Sequence, residues 1–290
     1  MPRTAQFVTQ QTGRLLDRLA HQAADTLHSS DADAVHDLRV AIRRFVQALM
    51  VWKPCFPARE RRKIRRDLKE LMGFAGEVRD RDIARELLAG ETSNEAAAFA
   101  AKLQIERQEA VKVLTAVLGR WVARKSVSKA RSRLLPVQGE AESPEQILAP
   151  LVKKFFRAGD LAAEPHSSAT ELHGFRVQAK KFRYSVELFQ PVYGPIADEW
   201  LGKMKRLQKL LGDMNDYRVT REMVEELGAH GPLAASLKKK QQKKIEGFRE
   251  LWRSDFAGTD KQWRRSFARS PRKPMSRAAA PHVKKIAKAL

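Results

Sequence analysis

The chain has 290 residues, and its 56 Lys and Arg against 34 Asp and Glu give a formal net charge of +22. A charge of this size favours a polyanion as the partner, while a hydrophobic content of 43% excludes a wholly disordered chain. The single cysteine, Cys55, excludes an intramolecular disulfide and a metal cluster built on cysteines.

Apolar residues recur at helical spacing through almost the whole chain, which predicts an all-α protein. The predicted helices cover about 7–28, 33–51, 58–75, 81–89, 93–122, 143–158, 168–190, 196–211, 216–228 and 231–256. Pro54 and Pro57 are expected to end the second helix, and Pro191 and Pro195 to end the helix over 168–190.

The chain is expected to divide into two helical halves. The polar segment 136–144, which contains Pro and Gly, is the best candidate for a linker. It would separate a first half over about 8–135 from a second half over about 143–260. The basic segment 270–290 is expected to be a flexible tail.

The most informative feature of the sequence is an internal repeat. The sequence VHDLRVAIRRF over 35–45 returns as LHGFRVQAKKF over 172–182. After a one-residue change in spacing, AGEVRD over 75–80 returns as LGDMND over 211–216. Two motifs repeated in the same order indicate a duplicated helical unit.

Each copy of the first motif is predicted to place a row of cations beside an apolar stripe on one helix. The apolar stripes consist of Val35, Leu38, Ile42, Phe45 and Leu49 in the first copy, and of Leu172, Phe175, Ala179, Phe182, Val186 and Phe189 in the second. Because the next residue is rotated by about 100° on a helix, the cations form a separate basic ridge beside each stripe. The basic ridges consist of His36, Arg39, Arg43 and Arg44 in the first copy, and of His173, Arg176, Lys180, Lys181 and Arg183 in the second.

No acidic residue interleaves with the cations of the basic ridges. Like charges one helical turn apart repel by a few tenths of a kcal/mol per pair, so an external anion is expected to supply the missing charge. A cationic helix face is most often only a solvated surface, but two copies that both open with a histidine favour anion binding. The histidines are expected to titrate or to form hydrogen bonds at the same site.

The helices that follow the basic ridges add further candidates. Lys69 and Lys205 align in the repeat, whereas a solvated face is the simpler interpretation for most of the others. Asp80 and Asp216 also align, and each is predicted first as a helix N-cap, with orientation of the ridge arginines as the alternative. The added candidate cations are Arg62, Arg65 and Lys69 in the first half, and Lys205 and Lys209 in the second.

These motifs resemble the CHAD family, the conserved histidine α-helical domain. The pattern H-x-x-R-x-x-x-[KR]-[KR] occurs at 36–44 and 173–181, G-x-x-R-D at 76–80, and L-Q-x-x-L-G-x-x-N-D at 207–216. The resemblance covers about 8–260 and implies two similar helical bundles related by a pseudo-two-fold axis, with basic residues of both lining a central cavity. It also implies binding of inorganic polyphosphate and association with polyphosphate granules. Val46 stands where the family often carries another basic residue, which predicts a weaker contribution from the first half.

The sequence therefore predicts a non-enzymatic polyphosphate-binding protein that uses no cofactor and no metal. RNA or DNA binding is the main alternative, because a charge of +22 attracts any polyanion, although the few aromatic residues lie mostly in the apolar stripes. A phosphohydrolase is less favoured, because Gly174 replaces the acid of the His36-Asp37 pair in the second copy and no Walker-type loop is present. A scaffold that recruits proteins to granules is a third hypothesis.

The location and the ligand range are less well determined. No stretch of about 18 apolar residues could span a bilayer, and the chain starts without the apolar segment of a secretory signal. A cytoplasmic protein is therefore expected. Oligomeric state and polymer length stay open, and so does binding of inositol polyphosphates or nucleotides.

Overall fold

The computed structural model describes residues 3–137, 139–229 and 231–268, and these residues form ten α-helices, one short 3-10 helix (Lys53–Cys55) and no strand. The all-α prediction is confirmed, while the predicted tail over 270–290 lies outside the described residues. No helix of the described part is both long and apolar enough to cross a membrane. The helices are α1 (Arg3–His28), α2 (Ala32–Val51), α3 (Ala58–Leu88), α4 (Asn94–Ala123), α5 (Ser126–Leu134), α6 (Pro144–Ala163), α7 (Ala169–Tyr193), α8 (Pro195–Glu226), α9 (Pro232–Asp255) and α10 (Asp260–Ala268).

The helices pack in two consecutive sets. In the first set α1 packs on α2, α2 on α3 and α3 on α4, and α5 contacts α1, α3 and α4. In the second set α6 packs on α7, α7 on α8 and α8 on α9, while α10 packs on α6. Residues 135–137 and 139–143 lie outside helices between the two sets, and Ser143 caps the start of α6 with a capping box. A two-fold rotation between the sets stays a prediction.

Two pairs of helices join the sets: α2 contacts α7, and α3 contacts α8. Between α2 and α7, Gln47 Nε2 donates to Ser185 Oγ at 2.9 Å. Near the ends of α3 and α8, Leu88 and Val224 belong to one buried apolar cluster that α4 and α9 complete. The two copies of each repeated motif therefore lie on contacting helices.

The apolar stripes of α2 and α7 are buried along their whole length, as the sequence predicts. Phe182 packs in an aromatic cluster in which its ring centroid lies 4.8 Å from that of Phe155. Trp252 closes this cluster against Gly159, where a Cβ atom would lie 2.0 Å from the indole ring. Burial of each large side chain contributes about 1.5–3 kcal/mol, so the stripes set the rotation of both helices and the direction of the basic ridges.

Two predicted helix breaks are wrong. The segments 58–75 and 81–89 form the single helix α3, and 196–211 and 216–228 form the single helix α8. Gly76 and Gly212 suggested the breaks, but a glycine inside a helix costs only about 1 kcal/mol. Buried residues beyond each glycine, such as Val78 and Met214, keep the helix packed. Asp80 and Asp216 consequently lie inside helices, and their prediction as N-caps is also wrong.

Other boundaries differ from the prediction as well. Pro191 lies inside the last turn of α7, which ends at Tyr193. Gly194 follows as the C-cap, and its φ of 61° is unfavourable for other residues. The helices α5 and α10 were missed because they are short. Burial of Trp263 and Phe267 in the aromatic cluster holds α10 in place.

Candidate functional site

Four ridge cations from both halves share one electrostatic environment: Arg39 and Arg43 of α2 and Arg176 and Lys180 of α7. The pKa of Lys180 is lowered to about 7, first by burial and then by the positive charges of Arg176, Arg43 and Arg39, while Asp216 opposes the shift. Burial is also the largest cause that lowers the pKa of Arg39 to about 10, and Arg43 and Arg176 add to it. Mutual effects of this kind require short separations. These four residues are called the central cluster.

The described residues provide the central cluster with no direct ion pair. In the part of the chain that the structure describes, none of its four side chains forms an ion pair with a carboxylate. Arg176 Nε is buried without a hydrogen-bond partner among the described residues. Buried donors are normally paired, so the cluster is prepared for an external acceptor.

Asp80 and Asp216 lie beside the central cluster, on α3 and α8. Burial raises the pKa of both carboxyl groups, while Arg39 and Arg176 lower that of Asp80, and Arg176 and Lys180 lower that of Asp216. Neither acid forms an ion pair with a ridge arginine among the described residues, so orientation of the ridge arginines, the alternative to the N-cap prediction, stays a prediction. The two acids are too few to neutralise the cations around them.

Gly76 allows the closest approach between a ridge arginine and α3. A Cβ atom on this residue would lie 2.9 Å from Arg39 Nη1. The same nitrogen donates a hydrogen bond to the carbonyl oxygen of Met72 at 3.4 Å. In the second half, Gln208 Nε2 donates to the carbonyl oxygen of Ala179 at 2.8 Å. A side-chain hydrogen bond thus joins α2 to α3 in the first half and α7 to α8 in the second. Of these two bonds, the one in the first half has a ridge cation, Arg39, as its donor.

The two histidines lie at the outer ends of the ridges. Burial lowers the pKa of His36 most, and Arg79, Arg43 and Arg39 of the same half lower it further against the effect of Asp37. The pKa of His173 is lowered first by burial and then by the positive charges of Arg176, Arg218 and Lys180. Both histidines are exposed and both are mainly neutral at pH 7. The groups that act on each histidine come from its own half.

Arg44 and Arg183 are not free cations. Glu187 accepts a hydrogen bond from Arg44 Nε at 2.8 Å and pairs with Arg183 Nη1 at 3.2 Å. The expectation that the ridges lack acidic partners is therefore wrong for these two residues, because Glu187 lies one turn after Arg183 on α7. The Arg44 pair links α2 to α7, and the Arg183 pair lies within α7. Lys181 is exposed beside them.

Lys69 and Lys205 occupy matching positions of the repeat, on α3 and α8. Lys69 precedes Met72 by one turn on α3, and Lys205 precedes Gln208 by one turn on α8. Both lysines are exposed and form no ion pair among the described residues. They can therefore extend the basic surface outward from the central cluster.

Two of the remaining predicted cations, Arg62 and Arg65, lie further out along α3. Arg62 and Arg65 precede Gly76 on α3 by about 21 Å and about 17 Å along the helix axis, so the structure does not bring them to the central cluster. Arg65 is half-buried, while Arg62 is exposed. Lys209 is exposed one turn after Lys205 on α8.

Arg79 is a site residue that the sequence analysis missed. It lowers the pKa of both His36 and Arg39, and among the described residues it forms no ion pair. Arg79 belongs to the repeated AGEVRD motif, so the motif itself could have identified it. Arg218 acts on His173 in the second half, but its guanidinium binds Glu222 at 2.6 Å.

The arrangement suits an anion with several phosphate-like groups, because fixed guanidinium groups and a mobile ammonium converge from two sides. Metal chemistry has no comparable support: within the described ranges, no three His, Cys, Asp or Glu side chains are grouped so that they could hold a metal ion.

Comparisons with known proteins identify the family and the fold. The family model of the CHAD domain matches residues 10–225, a range that contains both basic ridges and both copies of the second motif. The crystal structure of the CHAD domain from the plant Ricinus communis shares 19% identity, with 92% of this chain and 93% of that chain covered at a TM-score of 0.64. PptA from Streptomyces chartreusis shares 17% identity, with 87% and 99% covered at a TM-score of 0.67. At these identities the likeness shows the fold. No curated protein gives a significant match.

Proposed function

The chain belongs to the CHAD domain family, and from this premise we propose that it binds inorganic polyphosphate at the central cluster without catalysing a reaction. The proposal is carried by the convergence of four cations from two contacting helices, α2 and α7. Among the described residues none of the four, Arg39, Arg43, Arg176 and Lys180, forms an ion pair with a carboxylate. Association with cytoplasmic polyphosphate granules belongs to the same proposal.

Recognition rests on charge, spacing and hydrogen-bond donors, because polyphosphate carries a charge on every phosphate and no bases. Arginine binds phosphate oxygens through two parallel N–H groups, while lysine supplies a mobile point charge. Arg39 and Arg43 contact the polymer from α2, and Arg176 and Lys180 contact it from α7. An arriving anion favours the charged form of Lys180, whose pKa in the free protein is about 7.

The decisive experiment compares two variants with equal loss of charge. The central variant carries R39Q, R43Q, R176Q and K180Q, and the control carries K102Q, K238Q, K239Q and K243Q on exposed parts of α4 and α9. If each lost contact is worth about 1 kcal/mol, the central variant binds polyphosphate at least about 100-fold more weakly. The control should lose little. Equal losses would show general charge attraction and reject the proposed site.

The salt dependence gives a second measurement. Release of condensed counterions should give a log–log slope of affinity against salt clearly steeper than one. A flat response would contradict multivalent binding. The slope of the central variant should be shallower than that of the control, because fewer phosphate charges are neutralised.

Competition separates polyphosphate from RNA. At about 150–200 mM salt, where non-specific attraction is weakened, polyphosphate should displace RNA of equal charge. The central cluster contains no aromatic side chain on which bases could stack. Preferential binding of RNA would favour the nucleic-acid alternative instead.

Catalysis and granule association each have a direct assay. Incubation of polyphosphate with the protein and added divalent metals should release no orthophosphate, and steady release would establish a phosphohydrolase. In cells that accumulate polyphosphate, a fluorescent fusion should co-localise with the granules, and the central variant should not.

A further inference from the structure

A basic groove, separate from the central cluster, lies on the side of α3 that faces away from that cluster. It has a volume of about 440 Å³ and is enclosed by α3, α4 and α5. Ile64 and Leu71 contribute to it from α3, and they are rotated by about 140–160° from Lys69 around the helix axis. The groove and the central cluster are therefore separate surfaces.

Cations predominate in this groove. Two acids, Asp67 and Glu70, face the larger set of cations, and Arg66 pairs with Asp67 while Arg133 pairs with Glu60. In the described part of the chain, Lys63, Arg120, Arg124 and Lys129 form no ion pair with any carboxylate. The lining cations are Lys63, Arg66, Arg120, Arg124, Lys129 and Arg133.

The groove also has an apolar and aromatic lining that the central cluster lacks. Ile64, Leu71 and Val117 line it together with Trp121. Trp121 is only partly buried, whereas Trp52, Trp200, Trp252 and Trp263 are buried in the core. A ligand that uses the whole lining needs both an apolar ring and anionic groups.

A pocket in the second half has a different charge balance. The large pocket between α6 and α9 has a volume of about 710 Å³, but Asp160, Glu164, Glu246 and Glu250 outnumber its two arginines. The basic groove is therefore not a copy of the duplicated ridge site, and it requires its own explanation.

We propose that this groove binds a nucleoside phosphate, with the base against Trp121 and the phosphates against Arg120, Arg124 and Lys129. The volume lies within the range of about 300–1,000 Å³ typical of small-molecule sites. A bare phosphate chain would gain nothing from the apolar lining, whereas a nucleotide uses the cations and the ring together. This inference does not depend on polyphosphate binding at the central cluster.

The first test compares ATP with inorganic tripolyphosphate, which has the triphosphate chain without the nucleoside. Because the other four tryptophans are buried, quenching of tryptophan fluorescence by the ligand reports on Trp121. ATP should quench the fluorescence and bind at least about fivefold tighter than tripolyphosphate, the lower end of the effect of base stacking on an aromatic side chain. The comparison is made in the central variant R39Q, R43Q, R176Q and K180Q, so that tripolyphosphate does not bind at the central cluster. Equal affinities of this variant for the two ligands would overturn the proposal.

The second test uses variants. One groove variant carries R120Q, R124Q and K129Q, and it should lose quenching by ATP. The matched control carries K238Q, K239Q and K243Q, with the same loss of charge, and it should retain quenching. Trp121→Leu keeps an apolar side chain but removes the aromatic ring. It should weaken ATP binding, measured by calorimetry, about 5- to 150-fold. Circular dichroism confirms that each variant folds. Unchanged ATP binding in either groove variant would refute the assignment.

The two sites are distinguished by crossing ligands and variants. The central variant R39Q, R43Q, R176Q and K180Q should lose polyphosphate binding but keep quenching by ATP. The groove variants should keep polyphosphate binding. Loss of ATP quenching in the central variant would show that ATP binds at the central cluster and would overturn the groove proposal alone.

Discussion

Replacement of Gly76 by alanine should separate the stability of the protein from its affinity. The new Cβ atom would lie 2.9 Å from Arg39 Nη1, so the guanidinium must move away from α3 and lose its hydrogen bond to the Met72 carbonyl. At the same time the helix interior gains about 1 kcal/mol, because alanine is a better helix former than glycine. The variant should therefore be as stable as the parent or more stable, yet bind polyphosphate less well.

The size of the affinity loss follows from what Arg39 contributes. A hydrogen bond that involves a charged group contributes about 1.5–3 kcal/mol, and a displaced arginine loses the lower part of this range. We expect a dissociation constant about tenfold higher. Gly73→Ala is the matched control, because it lies on the same helix with nothing within 4 Å of its Cβ position and gains the same helix propensity.

Calorimetric titration with polyphosphate and thermal unfolding, run on both variants, measure the two effects. Gly73→Ala should raise the melting temperature and leave the affinity unchanged. Gly76→Ala with full affinity would show that Arg39 does not need its present position for binding. A large loss of stability in Gly76→Ala alone would refute the view that the guanidinium can yield to the new methyl group.

Three further predictions concern the ridge cations. Arg43→Gln should lower polyphosphate affinity but have little effect on stability. Arg44→Gln breaks the pair with Glu187, so it should lower the unfolding free energy by about 1 kcal/mol and affect affinity less. Titration with polyphosphate and thermal unfolding of both variants measure the two effects. Lys180→Met removes a buried charge repelled by Arg176, Arg43 and Arg39, so the melting temperature at pH 6 should rise while affinity falls; an unchanged or lower melting temperature would contradict this. Because the pKa of Lys180 is about 7 in the free protein and rises beside an anion, polyphosphate affinity should increase as pH falls from about 9 to 7. Lys180→Arg should abolish that increase but keep any histidine-dependent tightening below about pH 6.5, and a parental profile in the variant would refute the assignment.

The helical spacing predicted the parts of the fold that depend on burial. Phe45 and Phe182 lie in the core because their stripes recur every three or four residues. The breaks at Gly76 and Gly212 were wrong because local propensity is a weak effect beside tertiary packing. From the sequence alone, no pattern revealed that Val78 and Met214 would be buried strongly enough to hold the helices together.

The site was predictable as a set of cations but not as a geometry. The repeat identified Arg39, Arg43, Arg176 and Lys180, since the same residues recur beside the same stripe. It could not separate them from Arg44, because the pairing of Arg44 with Glu187 depends on how α2 meets α7. Contacts between distant segments are set by packing, and a single sequence carries no direct record of them.

The continuity of α3 and α8 has a consequence for how such a duplicated chain can change in length. The same number of residues separates Lys69 from Asp80 and Lys205 from Asp216. One residue inserted within either interval would turn its two ends by about 100° relative to each other, and one of them would leave the shared face. The single difference in spacing between the copies falls earlier, in a stretch that includes the connection into α3. The two copies of this chain therefore differ in length before Lys69 and Lys205, and they agree in length along the part of α3 and α8 that carries the second motif.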